Sequence, residues 1–176
     1  LRRHLKTEGE IQPGDIVPVV APDKNGLPNV YPMVWGFSDP ESDNLLFNVS
    51  LETAGENSAW KKTWERHRCV IPATYYYEYE NITMIDGTQK AGIKYMIQPQ
   101  GETITYLAGL VHIEKMAGIY VPVFSILTRE PPLQLKKIHN RMPVVLPAES
   151  VSTWIRPEST PEEIIKGSLT DMYFEK

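Results

Sequence analysis

Apolar runs that alternate with polar positions dominate the chain and predict β-strands. Five runs are rich in β-branched and aromatic residues and have the length of strands. They cover residues 30–37, 69–79, 93–98, 103–112 and 120–128. Asp86-Gly87 and Met116-Ala117-Gly118 predict tight turns between neighbouring runs. Strands joined by short turns, with no helix between them, pair antiparallel, so we predict a mainly antiparallel sheet.

The helical signals are short and lie between or after the strands. The predicted helices cover 58–66, 131–137, 147–155 and a segment from Thr160 that ends before Gly167. Trp60 and Trp64 are four residues apart and share one helical face. Proline opens the second helix, and Thr160-Pro161-Glu162-Glu163 predicts a capping box.

The remaining polar stretch, residues 38–46, has the composition of a surface loop. It contains Ser38, Asp39, Pro40, Glu41, Ser42, Asp43 and Asn44. With no internal repeat and no linker, we predict a single α+β domain over residues 1–176. It is built on a curved, mainly antiparallel β-sheet or barrel with short peripheral helices.

Length and composition describe an ordinary globular chain. Its 176 residues suit one domain, and 41% are hydrophobic. No apolar run approaches the length needed to span a membrane, and we expect a cytoplasmic monomer. A lone cysteine, Cys69, cannot form an internal disulfide and is expected to be a buried small hydrophobe. The four histidines have no metal-ligand spacing with it, so neither metal nor cofactor is expected.

Charge is unevenly distributed, and one segment concentrates it. The net charge of −4 argues against coating nucleic acid by bulk electrostatics but leaves local recognition open. His139 and Arg141 lie in the segment 138–143, directly after Lys136 and Lys137. A block of positive charge in an acidic chain indicates an anionic ligand.

Three polar residues next to apolar runs are candidates for chemistry: Asn48, Glu78 and His139. A glutamate, a histidine and an asparagine together can transfer protons and orient a substrate, although a nucleophile is missing. Each of them, like Arg141, also has a structural interpretation. Alternation along the strand places Glu78 and Tyr76 on one face and Tyr77 on the other. The residues alone favour a solvated face for Glu78. His139 fits a helix C-terminus, Asn48 a turn, and Arg141 a surface ion pair.

Four tryptophans are expected to fill the core, with one exception. Trp35 precedes Gly36 at the end of a predicted strand and could expose a face for stacking.

Five segments together, in this order, resemble one family. They are 12–19, 33–37, 48–53, 68–79, and 126–128 with 138–143. The chain resembles the SOS response-associated peptidase (SRAP) family, whose members process abasic sites in single-stranded DNA. The pairing of the element at His139–Pro143 with the one from Pro72 to Glu78 is specific.

The resemblance implies a mechanism. In this family a cysteine at the mature N-terminus, exposed when the initiator methionine is removed autocatalytically, condenses with the aldehyde of a ring-opened abasic sugar. Its thiol then closes a thiazolidine and leaves a covalent DNA–protein crosslink. His139 matches the histidine that assists ring opening, Glu78 the glutamate that moves protons, and Asn48 the asparagine that holds the reacting end.

The resemblance also implies the DNA contacts and shows departures from the family. Arg141 matches a phosphate-contacting arginine and Trp35 a base-stacking tryptophan, with Lys136 and Lys137 expected to add charge. Ser50 and Val34 stand where the family usually has arginine. Cations that we expect to compensate are Lys61, Lys62, Arg66 and Arg68.

Because the chain opens at Leu1, we expect the nucleophilic cysteine in a segment that precedes it. DNA-bound protein is expected on the nucleoid. Two alternatives stay open: a processing peptidase or amidase acting on other substrates, and a non-catalytic module that binds single-stranded DNA.

Overall fold

In the computed structural model, which describes residues 4–39, 42, 44–56 and 58–176, most of the regular structure is β-strand. The strands in the described residues are β1 Ile16–Pro22, β2 Pro28–Trp35, β3 Phe37–Ser38, β4 Leu45–Leu46, β5 Asn48–Ser50, β6 Arg68–Ala73, β7 Tyr76–Thr83, β8 Gln89–Pro99, β9 Thr105–Met116, β10 Ile119–Arg129, β11 Met142–Pro143, β12 Val145–Leu146 and β13 Met172–Glu175.

The helices are short and peripheral, as predicted. They are α1 Leu51–Ala54, α2 Ser58–Arg66, α3 Leu133–Lys136, α4 Val151–Trp154 and α5 Pro161–Ile165, with a 3-10 turn at Ala148–Ser150. Within the described part of the chain, none is long and apolar enough to cross a membrane. The second predicted helix begins two residues late, because Pro132 follows Pro131 and disfavours helical backbone there. The capping box is wrong: Thr160 precedes α5 but makes no side-chain capping hydrogen bond.

Five strands close into a barrel. β1 pairs with β2 and β6, β6 with β9, β9 with β10, and β10 returns to β2. The predicted α+β fold on a mainly antiparallel barrel is therefore confirmed. The predicted turn between β9 and β10 is also present, with Ala117 and Gly118 both at positive φ. A separate three-stranded sheet has the order β13-β8-β7.

Three details of the strand prediction are wrong. The single strand predicted over 69–79 divides at Thr74-Tyr75, because β6 stays in the barrel while β7 enters the three-stranded sheet. The prediction lacked several strands: β1 of the barrel, β13 of the three-stranded sheet, and the short strands β5, β11 and β12. Residues at the ends of the predicted loop pair as β3 and β4, and Pro40, Glu41 and Asp43 of that loop lie outside the described residues.

Alternate side chains of the barrel strands enter two apolar clusters, one on each face of the wall. One cluster contains Val19, Cys69 and Phe124 and continues to the three-stranded sheet and α3. The other contains Val34 and Val70 and is covered by the tryptophans of α2 and α4. Cys69 is buried, and desolvation raises the pKa of its thiol, so it is an inert core residue as predicted.

Arg68, the first residue of β6, is 1% exposed and holds its charge inside the protein. Its Nε donates to the carbonyl oxygen of Trp154 at 2.7 Å and its Nη1 to that of Trp64 at 2.8 Å. Its Nη2 donates to the carbonyl of Arg156 and to Ser159 Oγ. Desolvation lowers the pKa of the guanidinium. The expectation that Arg68 compensates at a DNA surface is therefore wrong.

Replacing Arg68 with leucine should destabilise the protein by about 3 kcal/mol or more, because several buried carbonyl groups lose their donor at once. Urea unfolding measures the change. Arg66→Leu is the matched control: Arg66 is exposed at the end of α2, so its loss should cost less than about 0.5 kcal/mol. Equal losses for the two variants would contradict this account of Arg68.

Candidate functional site

Glu78 lies on the inner face of β7, where alternation places it beside Tyr76. Tyr77 and Tyr79 point outward and are exposed, as the period of a strand predicts. The Glu78 side chain keeps 26% exposure. Desolvation raises the pKa of its carboxyl, and the nearby His139 lowers it in part. The solvated strand face that the residues alone favoured is thus not what the structure contains, because this carboxyl is largely withdrawn from water.

His139 is brought to Glu78 by the end of α3. Its main-chain N–H donates to the Leu135 carbonyl at 3.1 Å, and the neighbouring Ile138 carbonyl accepts from the Asn81 N–H of β7 at 2.8 Å. Leu135 and Ile138 are buried and anchor the segment. As a result, His139 Nε2 lies 3.9 Å from Glu78 Oε1.

The other ring nitrogen of His139 is held by the main chain of Arg141. Nδ1 lies 3.2 Å from both the N–H and the carbonyl oxygen of that residue. An unprotonated Nδ1 accepts from the N–H, and a protonated Nδ1 donates to the oxygen. Because both states find a partner, His139 can gain or lose a proton without leaving its position.

The pair can serve one reacting atom. An oxygen or nitrogen about 2.8 Å from each group closes a triangle with Glu78 and His139, which is hydrogen-bond reach for general acid–base chemistry. The two side chains are similarly exposed, at 26% and 27%, so a substrate atom can reach both.

Asn48 is the first residue of β5, which pairs parallel with β10 and places Asn48 opposite Ile126. Its side chain is exposed, whereas Val49 is buried, so Asn48 and Ser50 lie on the same face of β5. Ser50 in turn donates its hydroxyl to Glu52, which pairs with Arg141. Asn48 therefore faces the same surface as the cationic part of the site.

The guanidinium of Arg141 is already paired, because it forms a bidentate ion pair with Glu52 of α1. Nη1 lies 2.9 Å from Oε1 and Nη2 lies 2.7 Å from Oε2. Nη2 also donates to the Thr128 carbonyl at 2.6 Å. The Ser50 hydroxyl donates to Glu52. These contacts lower the pKa of Glu52 to about 2, with the Arg141 hydrogen bond as the main cause.

The two lysines before His139 differ. Lys136 forms an ion pair with Glu130, and both side chains are well exposed. Lys137 is exposed, and its side chain forms no hydrogen bond or ion pair with the described residues. Only part of the positive charge that the sequence concentrates here is therefore unpaired.

Trp35 ends β2 and is only partly exposed. Phe124 stacks with its ring at 6.3 Å between centroids, and its Nε1 donates to the Phe47 carbonyl at 2.9 Å. Gly36, at φ 114°, follows it; a Cβ there would lie 2.9 Å from Leu45 Cβ, so the close approach of this turn needs glycine. These contacts fix the indole and pack much of its surface on the protein.

Two groups at the site were missed by the sequence reasoning. Glu52 lies 89 residues from Arg141 in the chain, so no local spacing could have predicted the pair. The Tyr76 hydroxyl is buried without a hydrogen-bond partner in the described structure, and burial followed by the Glu78 charge raises its pKa. Alternation already placed Tyr76 beside Glu78 and was the available signal.

Fold and sequence together identify the class of protein. The model of the family "SOS response associated peptidase (SRAP)" matches residues 2–175, and the chain belongs to this family. A phage-related protein from Bordetella bronchiseptica has the same fold, with a TM-score of 0.73 at 22% identity over 94% of this chain and 79% of its own.

Two curated relatives carry a common description. The abasic site processing protein YoaM of Bacillus subtilis is 28% identical over 143 residues, which are 77% of this chain and 60% of the relative. The abasic site processing protein YMR114C of Saccharomyces cerevisiae is 29% identical over 125 residues, or 68% of this chain and 32% of the relative. The chain thus matches less than two thirds of the length of these relatives.

The coupling between Glu78 and His139 can be tested by carbon-13 NMR titration of the glutamate side chains. The pKa of Glu78 should lie above the usual value near 4.5, and His139→Gln should raise it further, because a nearby cation is lost. Glu52, with a pKa of about 2, is the internal control and should not move. An unchanged Glu78 in the variant would show that the 3.9 Å contact is not electrostatically important.

Proposed function

We propose that the full-length protein processes abasic sites in single-stranded DNA by forming a covalent crosslink. The observation that carries the proposal is the Glu78–His139 pair, whose side chains lie 3.9 Å apart and are about one quarter exposed, so that one reacting atom can reach both. Family membership and the names of the relatives support the substrate class. The nucleophile in this proposal is a cysteine at the mature N-terminus, exposed by self-removal of the initiator methionine.

The proposed chemistry starts when the open-chain aldehyde of the abasic sugar meets the cysteine α-amine. The amine adds to the carbonyl carbon, and loss of water gives an imine. The thiol then adds to the imine carbon, its proton passes to the nitrogen, and a thiazolidine results. Expelling water needs an acid, and a carboxyl with a raised pKa, such as that of Glu78, is suited to supply the proton.

His139 is proposed to assist opening of the sugar ring, since a neutral imidazole can accept the hydroxyl proton that ring opening transfers. Asn48, exposed on the same surface, is proposed to hold the reacting end. Trp35 would stack on a base, while Arg141, Lys136 and Lys137 would contact phosphates. An abasic site has no base to unstack, which lowers the cost of drawing it into the site. We propose that the protein acts as a monomer on cellular DNA.

The test is adduct formation by the full-length protein with a single-stranded oligonucleotide that carries one abasic site. A denaturing gel should show a slow-migrating adduct without borohydride, because a thiazolidine needs no reduction to persist. Glu78→Gln and His139→Gln should each slow adduct formation about 100-fold, the usual contribution of a general acid or base. Glu163→Gln removes an exposed carboxylate paired with Lys166 and is the control that should retain the rate.

Other results would support the alternatives. Release of product from an added peptide, with no DNA adduct, would indicate a processing peptidase. Salt-sensitive DNA binding with no adduct, in a protein that has an N-terminal cysteine, would indicate a non-catalytic binding module. Either result contradicts the proposed crosslinking.

A further inference from the structure

The proposed phosphate contact, Arg141, already binds two carboxylate oxygens of its own chain. The Glu52 oxygens lie 2.9 Å from Nη1 and 2.7 Å from Nη2, the arrangement in which a guanidinium binds a carboxylate or a phosphate. Glu52 therefore occupies the same edge of Arg141 that a DNA phosphate would use.

The remaining donors of Arg141 do not offer a second complete edge. A guanidinium has five N–H donors on three nitrogens. Glu52 takes one from each Nη, and the Thr128 carbonyl takes the second from Nη2 at 2.6 Å. The Nε donor and the outer Nη1 donor that are left point to opposite sides of the group. Two oxygens of one phosphate cannot bind there unless Glu52 moves away.

The Glu52 side chain is held by a neighbouring hydroxyl and is also exposed to solvent. Ser50, which precedes α1, donates its hydroxyl to the carboxylate and holds it toward Arg141. The Glu52 side chain is nevertheless 54% exposed and that of Arg141 31% exposed. Water screens an ion pair this exposed, so a competing anion can displace the carboxylate.

A second carboxylate, Glu130, pairs with Lys136. It is close enough to Arg141 and Glu52 for both charges to affect its pKa. Two of the three cations proposed to hold DNA are therefore neutralised by carboxylates. The arrangement is a feature of this whole surface and not of one side chain alone.

We propose that Glu52 is a built-in competitor for the phosphate-binding edge of Arg141, which DNA must displace. The inference rests on the proposed function and adds a determinant of DNA affinity to it. Such competition weakens binding to every strand equally, so it shortens the time spent on undamaged DNA. It does not undo a covalent adduct once a lesion has reacted.

The experiment compares binding of the full-length protein and its variants to a fluorescein-labelled single strand with a tetrahydrofuran abasic analogue, which has no aldehyde. Glu52→Gln should lower Kd about 3- to 10-fold and steepen the slope of log K against log salt by about 0.7, as for one more phosphate contact. The gain should vanish when Arg141→Gln is added. Glu149→Gln, an equal charge change at an exposed site in the 3-10 turn, should change Kd less than about twofold.

If Glu52→Gln binds DNA no more tightly than Glu149→Gln does, the inference is overturned, since Glu52 would then position Arg141 instead of blocking it. If the unsubstituted protein still forms adducts with abasic DNA, the proposed function survives that result.

A measurement without DNA keeps the two ideas separable. Inorganic phosphate, compared with chloride at equal ionic strength, should raise the thermal unfolding midpoint of Glu52→Gln but not of the unsubstituted protein or the double variant. No difference between these proteins also overturns the inference. A phosphate effect without adduct formation supports the competition and contradicts the proposed function.

Discussion

The pairing of β10 is the constraint on which the rest of the structure depends. One edge of this strand pairs antiparallel with β9, and the other pairs parallel with β2 and then β5. The first part closes the barrel and sets Trp35 opposite Phe124. The second sets Asn48 opposite Ile126 and Ser50 opposite Thr128. The carbonyl of Thr128 then fixes Arg141. A shift of one residue would invert the faces of these strands and separate the candidate residues.

Two arginines show why residue type alone does not decide function. Arg68 and Arg141 have the same guanidinium, but one is enclosed by main-chain carbonyls, whereas the other binds one exposed carboxylate and one carbonyl. A buried charge needs several acceptors at once, and Arg68 finds them on the main chain of α2 and α4. It therefore links both helices to the barrel. Arg141 is 31% exposed, and in our proposal it exchanges the Glu52 carboxylate for a DNA phosphate. Burial, which depends on the whole fold, separates a structural role from a binding role.

Local sequence patterns predicted the longer strands and turns well, but not which sheet a strand joins or which distant side chains form contacts. Alternation placed Tyr76 with Glu78 and away from Tyr77, and the hairpin between β9 and β10 followed from its turn residues. The break at Thr74-Tyr75 escaped prediction because the apolar run continues across it, although the two halves join different sheets. Position beside apolar runs and the family resemblance both singled out Asn48, Glu78 and His139, but only the fold could show that Glu78 and His139 lie 3.9 Å apart. The Glu52–Arg141 pair spans 89 residues, so its formation depends on β5 and β11 both lying against β10.

The site combines two opposite electrostatic environments within one surface. Around Glu78, withdrawal from water favours the neutral carboxyl. Around Glu52, hydrogen bonds from Arg141 and Ser50 favour the ionised carboxylate. The first suits a group that must give and take a proton. The second keeps a permanent negative charge where a phosphate would bind. Under the proposed function, an acidic protein with a net charge of −4 would present cations to DNA while limiting how tightly they hold it. In such a site, lasting attachment would come from the covalent bond and not from the strength of the phosphate contacts.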